Sequence, residues 1–212
     1  MTAPLFIISA GGFGREVFCI IRALEASGRG LNLEGFVDDG PSGPDLDRVA
    51  ELGSRVVGRV DDMAKRHEPF GAVLAIGSAS GRRAIAAHLS RSPVTYPVLV
   101  HPDATVGFKV RLAEGVVVAA GVRLSTNIQV GRHVHIDQNA VVGHDSTLGE
   151  FSRLSPQVCI SGSVTVASGA FIGAAAVVLP GLHIGDFARV GAGAVVTQTV
   201  ARGITVKGIP AK

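Results

Sequence analysis

A chain of 212 residues accommodates one large domain or two small ones. With 47% hydrophobic and 17% charged residues it can bury a core, which excludes wholesale disorder, and no apolar run approaches the ~18–20 residues of a membrane span. The net charge of +3, with no basic stripe interleaved with aromatics, argues against nucleic acid as a partner. The 28 glycines and the absence of tryptophan point to tight turns and small packed residues rather than an aromatic core. Cys19 and Cys159 make no disulfide framework, and no basic residue precedes the apolar run Leu5–Ile8. The expected address is therefore the cytoplasm.

In chain order, Leu5–Ile8 reads as a strand, followed by a glycine turn, Gly11-Gly12-Phe13-Gly14. Val17, Ile20, Ile21 and Leu24 then share one face of a helix. Strand, glycine turn and helix open a βαβ unit of Rossmann type. Gly35–Asp39 predicts a second strand ending in Asp38 and Asp39, Ala72–Ile76 another closed by Gly77, and 80–90 a helix. The glycine turn is not a full dinucleotide fingerprint, because its third glycine position is Val17. Its N–H groups could still cradle a diphosphate at a helix N-terminus. Asp38 and Asp39 stand near the distance where an acid meets a ribose hydroxyl, or they form a solvated loop. Phe13 could stack on a ligand or cover the domain junction.

Residues 98–212 follow a different rule. From Val106 to Val196 every sixth residue, sixteen positions in all, is Val, Ile or Leu, with no insertion. Two residues before each stands a second set, Ala104 to Ala194, small or β-branched apart from the larger Ile128 and Leu182. Residues two apart on a strand point the same way, so each hexad sends one large and one small side chain inward before a corner. Glycine directly after the aliphatic position, as at Gly107, Gly131, Gly143 and Gly149, suggests a corner that uses positive φ. Three strands close a triangular coil of 18 residues, and coils stack at roughly 4.8 Å. The beat reaches Arg202 next, so the prism is expected to stop near residue 200, and it can be read back to Val100. This pattern is identified as the hexapeptide repeat of the left-handed parallel β-helix, whose members are largely acyltransferases built as trimers.

None of the prism histidines, His133, His135, His144 and His183, occupies an inward beat, so all are candidates for an exposed face. His144 stands at a corner with Asp145 beside it. An imidazole of ordinary pKa, ~6.5, suits proton acceptance near neutrality, and a carboxylate can orient it. A metal held by His133, His135 and His144 is the competing reading; nine residues separate His135 from His144, which puts them on different edges, and no metal is expected. Gly162 lies one coil beyond His144, where its N–H could face a thioester oxygen or simply make a turn. No serine or cysteine has an evident base partner, which favours direct transfer over an acyl-enzyme.

The whole chain resembles the bacterial nucleotide-sugar N-acetyltransferases grouped with the sialic acid O-acetyltransferases. The resemblance rests on Gly11-Gly12-Phe13-Gly14 with Val37-Asp38-Asp39, on the uninterrupted prism, and on Val142-Gly143-His144-Asp145 with Leu148-Gly149-Glu150-Phe151. The tail Val206-Lys207-Gly208-Ile209-Pro210-Ala211-Lys212 matches the ending that lies beside CoA in such enzymes. The resemblance implies a nucleotide-sugar-binding domain at 1–97 and an acetyltransferase prism at 98–212. It implies acetyl-CoA as co-substrate, a homotrimer with active sites between subunits, and no membrane or nucleic-acid partner. His144 is then the base and Asp145 tunes it. Gly11, Gly12, Phe13, Asp38, Asp39, Gly77 and Arg82 line the nucleotide-sugar site. Arg153, Gly162, Ala174, Ala192 and Lys207 lie along acetyl-CoA. Relatives often carry histidine where Phe13 and Arg153 stand. The implied reaction is acetylation of the amine of a nucleotide-linked amino sugar, with O-acetylation of a sugar such as sialic acid, or a non-catalytic trimeric binder of sugar nucleotides, as alternatives.

Overall fold

In the computed structural model, which describes residues 3–212, Leu5–Ile8 form a strand (β1) buried on both faces, as a central parallel strand requires. The glycine turn follows, then helix Gly12–Ala26 (α1), which buries the expected Val17, Ile20, Ile21 and Leu24 together with Phe18. Strand Leu33–Val37 (β2) starts two residues earlier than its sequence pattern suggests. Helix Gly43–Glu51 (α2), strand Val56–Gly58 (β3) and helix Val60–Ala64 (α3) come next. Strand Phe70–Leu74 (β4) ends two residues before the expected Ile76, and helix Ala79–His88 (α4) and strand Val94–Thr95 (β5) complete the unit. The sheet is wholly parallel in the order β3-β2-β1-β4-β5. Its strand order reverses between β1 and β4, and ligands of open α/β sheets bind outside the carboxyl ends of strands at such a point.

A second unit, Val98–Lys212, is the left-handed β-helix. Two-residue strands stack in three parallel sheets, with every partner 18 residues away through most of the prism. The first sheet runs from Thr105–Val106 through Val141–Val142 and Cys159–Ile160 to Val195–Val196. The second runs from Arg111–Leu112 through Thr147–Leu148 to His183–Ile184. The third runs from Leu99–Val100 through His135–Ile136 and Arg153–Leu154 to Thr205–Val206. Both predicted inward sets are buried along most of the axis, so the interior is a continuous column of aliphatic and small side chains. At the open first coil Val106 is exposed instead.

Two expectations change. The prism does not stop near residue 200: Ile184 bridges Val200, and Arg189–Val190 pairs with Thr205–Val206. The last coil is two residues short, 16 rather than 18, and after that deletion the register resumes through Val206. The corner glycines also work differently. Positive φ falls three residues after the aliphatic beat, at Gly115, Gly121, Gly169, Gly181 and Gly193, and equally at Asn127, Asn139, Asp145 and Phe151. Glycine directly after the beat answers a different demand. A Cβ on Gly149 would lie 2.6 Å from the backbone nitrogen of Ser168 in the next coil, and one on Gly173 would lie 2.6 Å from that of Ala192. Close coil stacking, not backbone handedness, requires those glycines.

No helix among the described residues is long and apolar enough to cross a membrane.

Candidate active site

The loop after β1 is built on a close approach. A Cβ on Gly14 would run into the carbonyl oxygen of Ser9, whose own φ is +99°, a conformation rarely held by a residue with a side chain. Gly11 occupies the N-cap of α1 with no side-chain cap, and no acid stands in the helix's first turn. Its leading N–H groups and positive dipole end thus face no carboxylate of that turn, the arrangement that favours a bound anion. Gly11, Gly12 and the half-buried Phe13 line this turn, and Gly77 is exposed in the loop after β4, on the other side of the strand-order reversal.

The two carboxylates separate. Asp38 Oδ2 accepts from Ala10 N at 2.8 Å and its Oδ1 from Gly40 N at 3.0 Å, so it ties the end of β2 to the glycine loop. Asp39 turns the other way: its Oδ1 accepts from Val60 N at 2.9 Å, at the start of α3. The structure therefore brings Asp38, but not Asp39, to the glycine turn. Arg82, expected to line the nucleotide-sugar site, is enclosed within the N-terminal unit. It is fully buried, and its Nη1 donates to the carbonyls of Ile76 (2.8 Å) and Gly77 (3.0 Å). A buried guanidinium needs such acceptors, so Arg82 shapes the loop that presents Gly77. Arg15 carries no signal of its role in the sequence pattern. Its Nη1 lies 2.8 Å from Ala10 O and 2.7 Å from Asp45 Oδ1, which joins the glycine loop to the first turn of α2. The hydroxyl of Ser42 and then this guanidinium hold the Asp45 carboxyl below its ordinary pKa.

In the prism, His144 and Asp145 stand at the corner after the first sheet, both about half exposed. His144 Nδ1 lies 2.7 Å from Asp145 Oδ2. The hydrogen bond from His144, and then one from Asn127 (Nδ2 to Oδ1, 3.1 Å), hold Asp145 below the ordinary carboxylate pKa. An ionised carboxylate only accepts, so Nδ1 is the donor of this pair, and the neutral tautomer that fits it has its lone pair on Nε2. Gly162 lies one coil above. A Cβ there would fall 2.5 Å from Nε2 and 2.6 Å from Cε1 of His144, over the face of the ring, so only a glycine leaves room for the imidazole in this position. Its N–H donates to no backbone carbonyl among the described residues, while its carbonyl accepts from Gly181 N at 3.0 Å. Below the corner, the buried Ser146 hydroxyl donates toward the carbonyls of His144 (3.3 Å) and Ser161 (3.2 Å) and accepts from Val164 N (3.2 Å). That inward serine, one of the small beats, pins the corner that carries the histidine.

The remaining predicted residues lie elsewhere on the prism. Ala174 and Ala192 are exposed one coil apart at the corner after the third sheet, and Gly193 N donates to Ala174 O at 2.8 Å. Exposed Lys207 follows in the same column, with its Cβ 3.0 Å from where a side chain on Gly191 would begin. Within one chain these residues occupy a different edge from His144. Arg153 is also committed: its Nε and Nη2 lie 2.9 and 2.8 Å from Oδ2 of buried Asp137. His133 and His135 correct the expectation of exposure. Both are buried, and His133 stacks on Phe151 at 5.0 Å between ring centroids, one coil apart at the corner after the second sheet. Among the described residues no three His, Cys, Asp or Glu side chains form a group that could hold a metal.

With this geometry in view, the chain can be placed among known proteins. Residues 4–89 match the PglD N-terminal domain family. No curated protein matches by sequence. Over its whole length the chain is 31% identical to perosamine N-acetyltransferase from Caulobacter crescentus, covering 97% of that protein with a TM-score of 0.87. That enzyme was solved as a histidine-to-asparagine variant in complex with CoA and GDP-perosamine. WeeI from Acinetobacter baumannii AYE is 28% identical over 100% of this chain and 99% of its own, with a TM-score of 0.87. The acetyltransferase domain of PglB from Neisseria gonorrhoeae FA1090 is likewise 28% identical over 100% and 99%, with a TM-score of 0.85. The match extends over the entire chain, both units included, and the protein belongs to the hexapeptide-repeat family of sugar N-acetyltransferases that includes the perosamine enzyme.

Proposed function

We propose that this protein transfers the acetyl group of acetyl-CoA to the amino group of a nucleotide-linked amino sugar, of the 4-amino-deoxy type, with His144 as general base. One observation carries the reading: Nδ1 of the half-exposed His144 ring is anchored 2.7 Å from Asp145 Oδ2, and only a glycine at 162 leaves room for that ring beneath the next coil. A base needs its lone pair aimed at the reacting proton and its other nitrogen anchored. The relatives' bound CoA and GDP-perosamine support the two substrate classes.

Acetyl-CoA supplies an activated acyl group as a thioester and departs as the thiol. The sugar amine attacks in its neutral form. His144 Nε2 takes the proton that the nitrogen loses as the C–N bond forms, and it returns that proton to the departing sulfur, so the enzyme ends unchanged. Asp145 stabilises the imidazolium between these two events. The Gly162 N–H faces the carbonyl oxygen on which negative charge develops. The N-terminal unit holds the nucleotide, its diphosphate at Gly11 and Gly12 with Asp38 nearby. Exposed small residues leave room for the pantetheine arm along the third-sheet corner at Ala174 and Ala192, and Lys207 meets phosphate. Because that edge and the His144 edge are distinct in one chain, the site is completed by a neighbouring copy in a trimer. Arg153, held by Asp137, acts on CoA through its position rather than as a mobile cation. Both substrates are water-soluble metabolites of the cell interior, which fits a cytoplasmic enzyme.

The test is single-turnover and steady-state kinetics of His144→Ala with the best amino-sugar acceptor. Loss of a general base costs ~10²–10⁴-fold in kcat. Turnover within about threefold of the wild type would end the assignment of the base.

A further inference from the structure

We propose that Asn127 is a positioning residue for the His144–Asp145 pair, its side-chain amide holding the outer carboxylate oxygen of Asp145 so that the other oxygen faces the imidazole. The inference rests on the reading of His144 as the base. Asn127 lies 18 residues before Asp145, one coil below it in the same corner column. Its Nδ2 is 3.1 Å from Asp145 Oδ1, while Oδ2 takes His144 Nδ1 at 2.7 Å. Each carboxylate oxygen thus has its own donor.

Asn127 is itself fixed. Its backbone N donates to Phe108 O at 3.0 Å, and the Thr126 hydroxyl donates to the same carbonyl at 2.8 Å. The Thr126 carbonyl in turn accepts from Asp145 N at 3.0 Å. Asn127 and Asp145 have nearly the same left-handed backbone, φ 57° and 58°, so their side chains leave from equivalent points one coil apart. The torsion that turns an aspartate carboxylate is broad, and an exposed carboxylate with one partner keeps much of that freedom. A second hydrogen bond removes it.

The identity of the donor also matters. Asn127 is neutral, so it orients the carboxylate without cancelling the negative charge that stabilises an imidazolium. Lys109, the next residue down the column, has its ammonium 5.4 Å over the Phe108 ring, and the amide is what meets Asp145. Of the side chains, asparagine combines an uncharged donor with tolerance of the left-handed corner.

Two variants separate this role from a structural one. Asn127→Gly keeps the corner's backbone and deletes the donor. Asn127→Asp keeps the shape and replaces the donor with a second carboxylate facing Asp145. We expect Asn127→Gly to lower kcat about tenfold while KM for acetyl-CoA and for the acceptor, and Tm, stay near wild type. Asn127→Asp should lose at least as much. On an Asp145→Ala background, Asn127→Gly should cost nothing further, because a residue that acts through Asp145 has nothing left to act on. The proposal is overturned if Asn127→Gly keeps kcat within about twofold, or if its loss multiplies in full with that of Asp145→Ala. Full activity in Asn127→Gly beside a dead His144→Ala overturns this proposal alone. Wild-type turnover in His144→Ala overturns the assignment of the base and this proposal with it.

Discussion

At His144 one ring has two close neighbours, a carboxylate at Nδ1 and a glycine over its face. Asp145 supplies the first at 2.7 Å, and the missing side chain of Gly162 leaves the room in which the ring lies. Gly162→Ala therefore places a methyl group 2.5 Å from Nε2, closer than real Cβ contacts come, and the ring must swing away. The expected outcome is a kcat loss of about 10²-fold, the order that misplacing a catalytic group by ~1 Å costs, with Tm nearly unchanged because the ring is exposed. Steady-state kinetics beside calorimetry checks this; a parallel fall in Tm and kcat would mean that the coil, not the ring, had moved. The His144–Asp145 pair was legible in the sequence because the two are adjacent. The stacking of Gly162 over His144 was legible too, because one coil is 18 residues. The same arithmetic leads from Asp145 to Asn127. The Arg15–Asp45 bridge was not legible: its partners are 30 residues apart and meet only through a turn that the sequence does not specify. Nor was the burial of Arg82, since a helical arginine beside Arg83 looks like any solvated cation.

Among the elements, the corners show two uses of glycine that substitutions can separate. Gly149→Ala sets a Cβ against backbone atoms of the next coil, which cannot yield without opening the stack. Gly193→Ala meets nothing within 4 Å and must only hold φ at +67°, at a cost of about 1–2 kcal/mol. Thermal denaturation should therefore rank Gly149→Ala below Gly193→Ala in Tm, and the reverse order would contradict the stacking argument. The inward register was readable from the sequence because it depends on side-chain chemistry alone, repeated every six residues. Corner handedness was misread because the coil imposes it on whatever residue arrives, so that Lys109, Phe151 and Phe187 hold left-handed φ beside the glycines. In the N-terminal unit α2 and α3 escaped notice for a related reason. They are short, and α2 buries only Val49 and α3 only Val60 and Met63, too few apolar positions to mark a helix in the sequence.

The molecule as a whole joins an α/β unit whose strand order reverses at the glycine turn to a prism whose His144–Asp145 pair and small-residue edge lie on different corners. That separation is the strongest structural reason for expecting a shared site. It predicts complementation. His144→Ala and Ala174→Trp, each inactive alone, should regain activity when their subunits are mixed by denaturation and refolding. Mixed trimers would contain some sites with an intact His144 corner from one copy and an intact Ala174 corner from another. Recovery absent from mixtures that sedimentation shows to be trimeric would place the whole site within one subunit.

The central claim is the reaction, and thiol release from acetyl-CoA tests it most directly. The acceptors are UDP-, GDP- and dTDP-linked 4-amino sugars, with sialic acid alongside, and the product mass is read in parallel. The account predicts release with one amino-sugar nucleotide and a product heavier by a single acetyl group. Release with sialic acid alone would replace the amine by a hydroxyl as the acceptor, and a protein that binds neither acetyl-CoA nor any of the sugar nucleotides would contradict the account entirely.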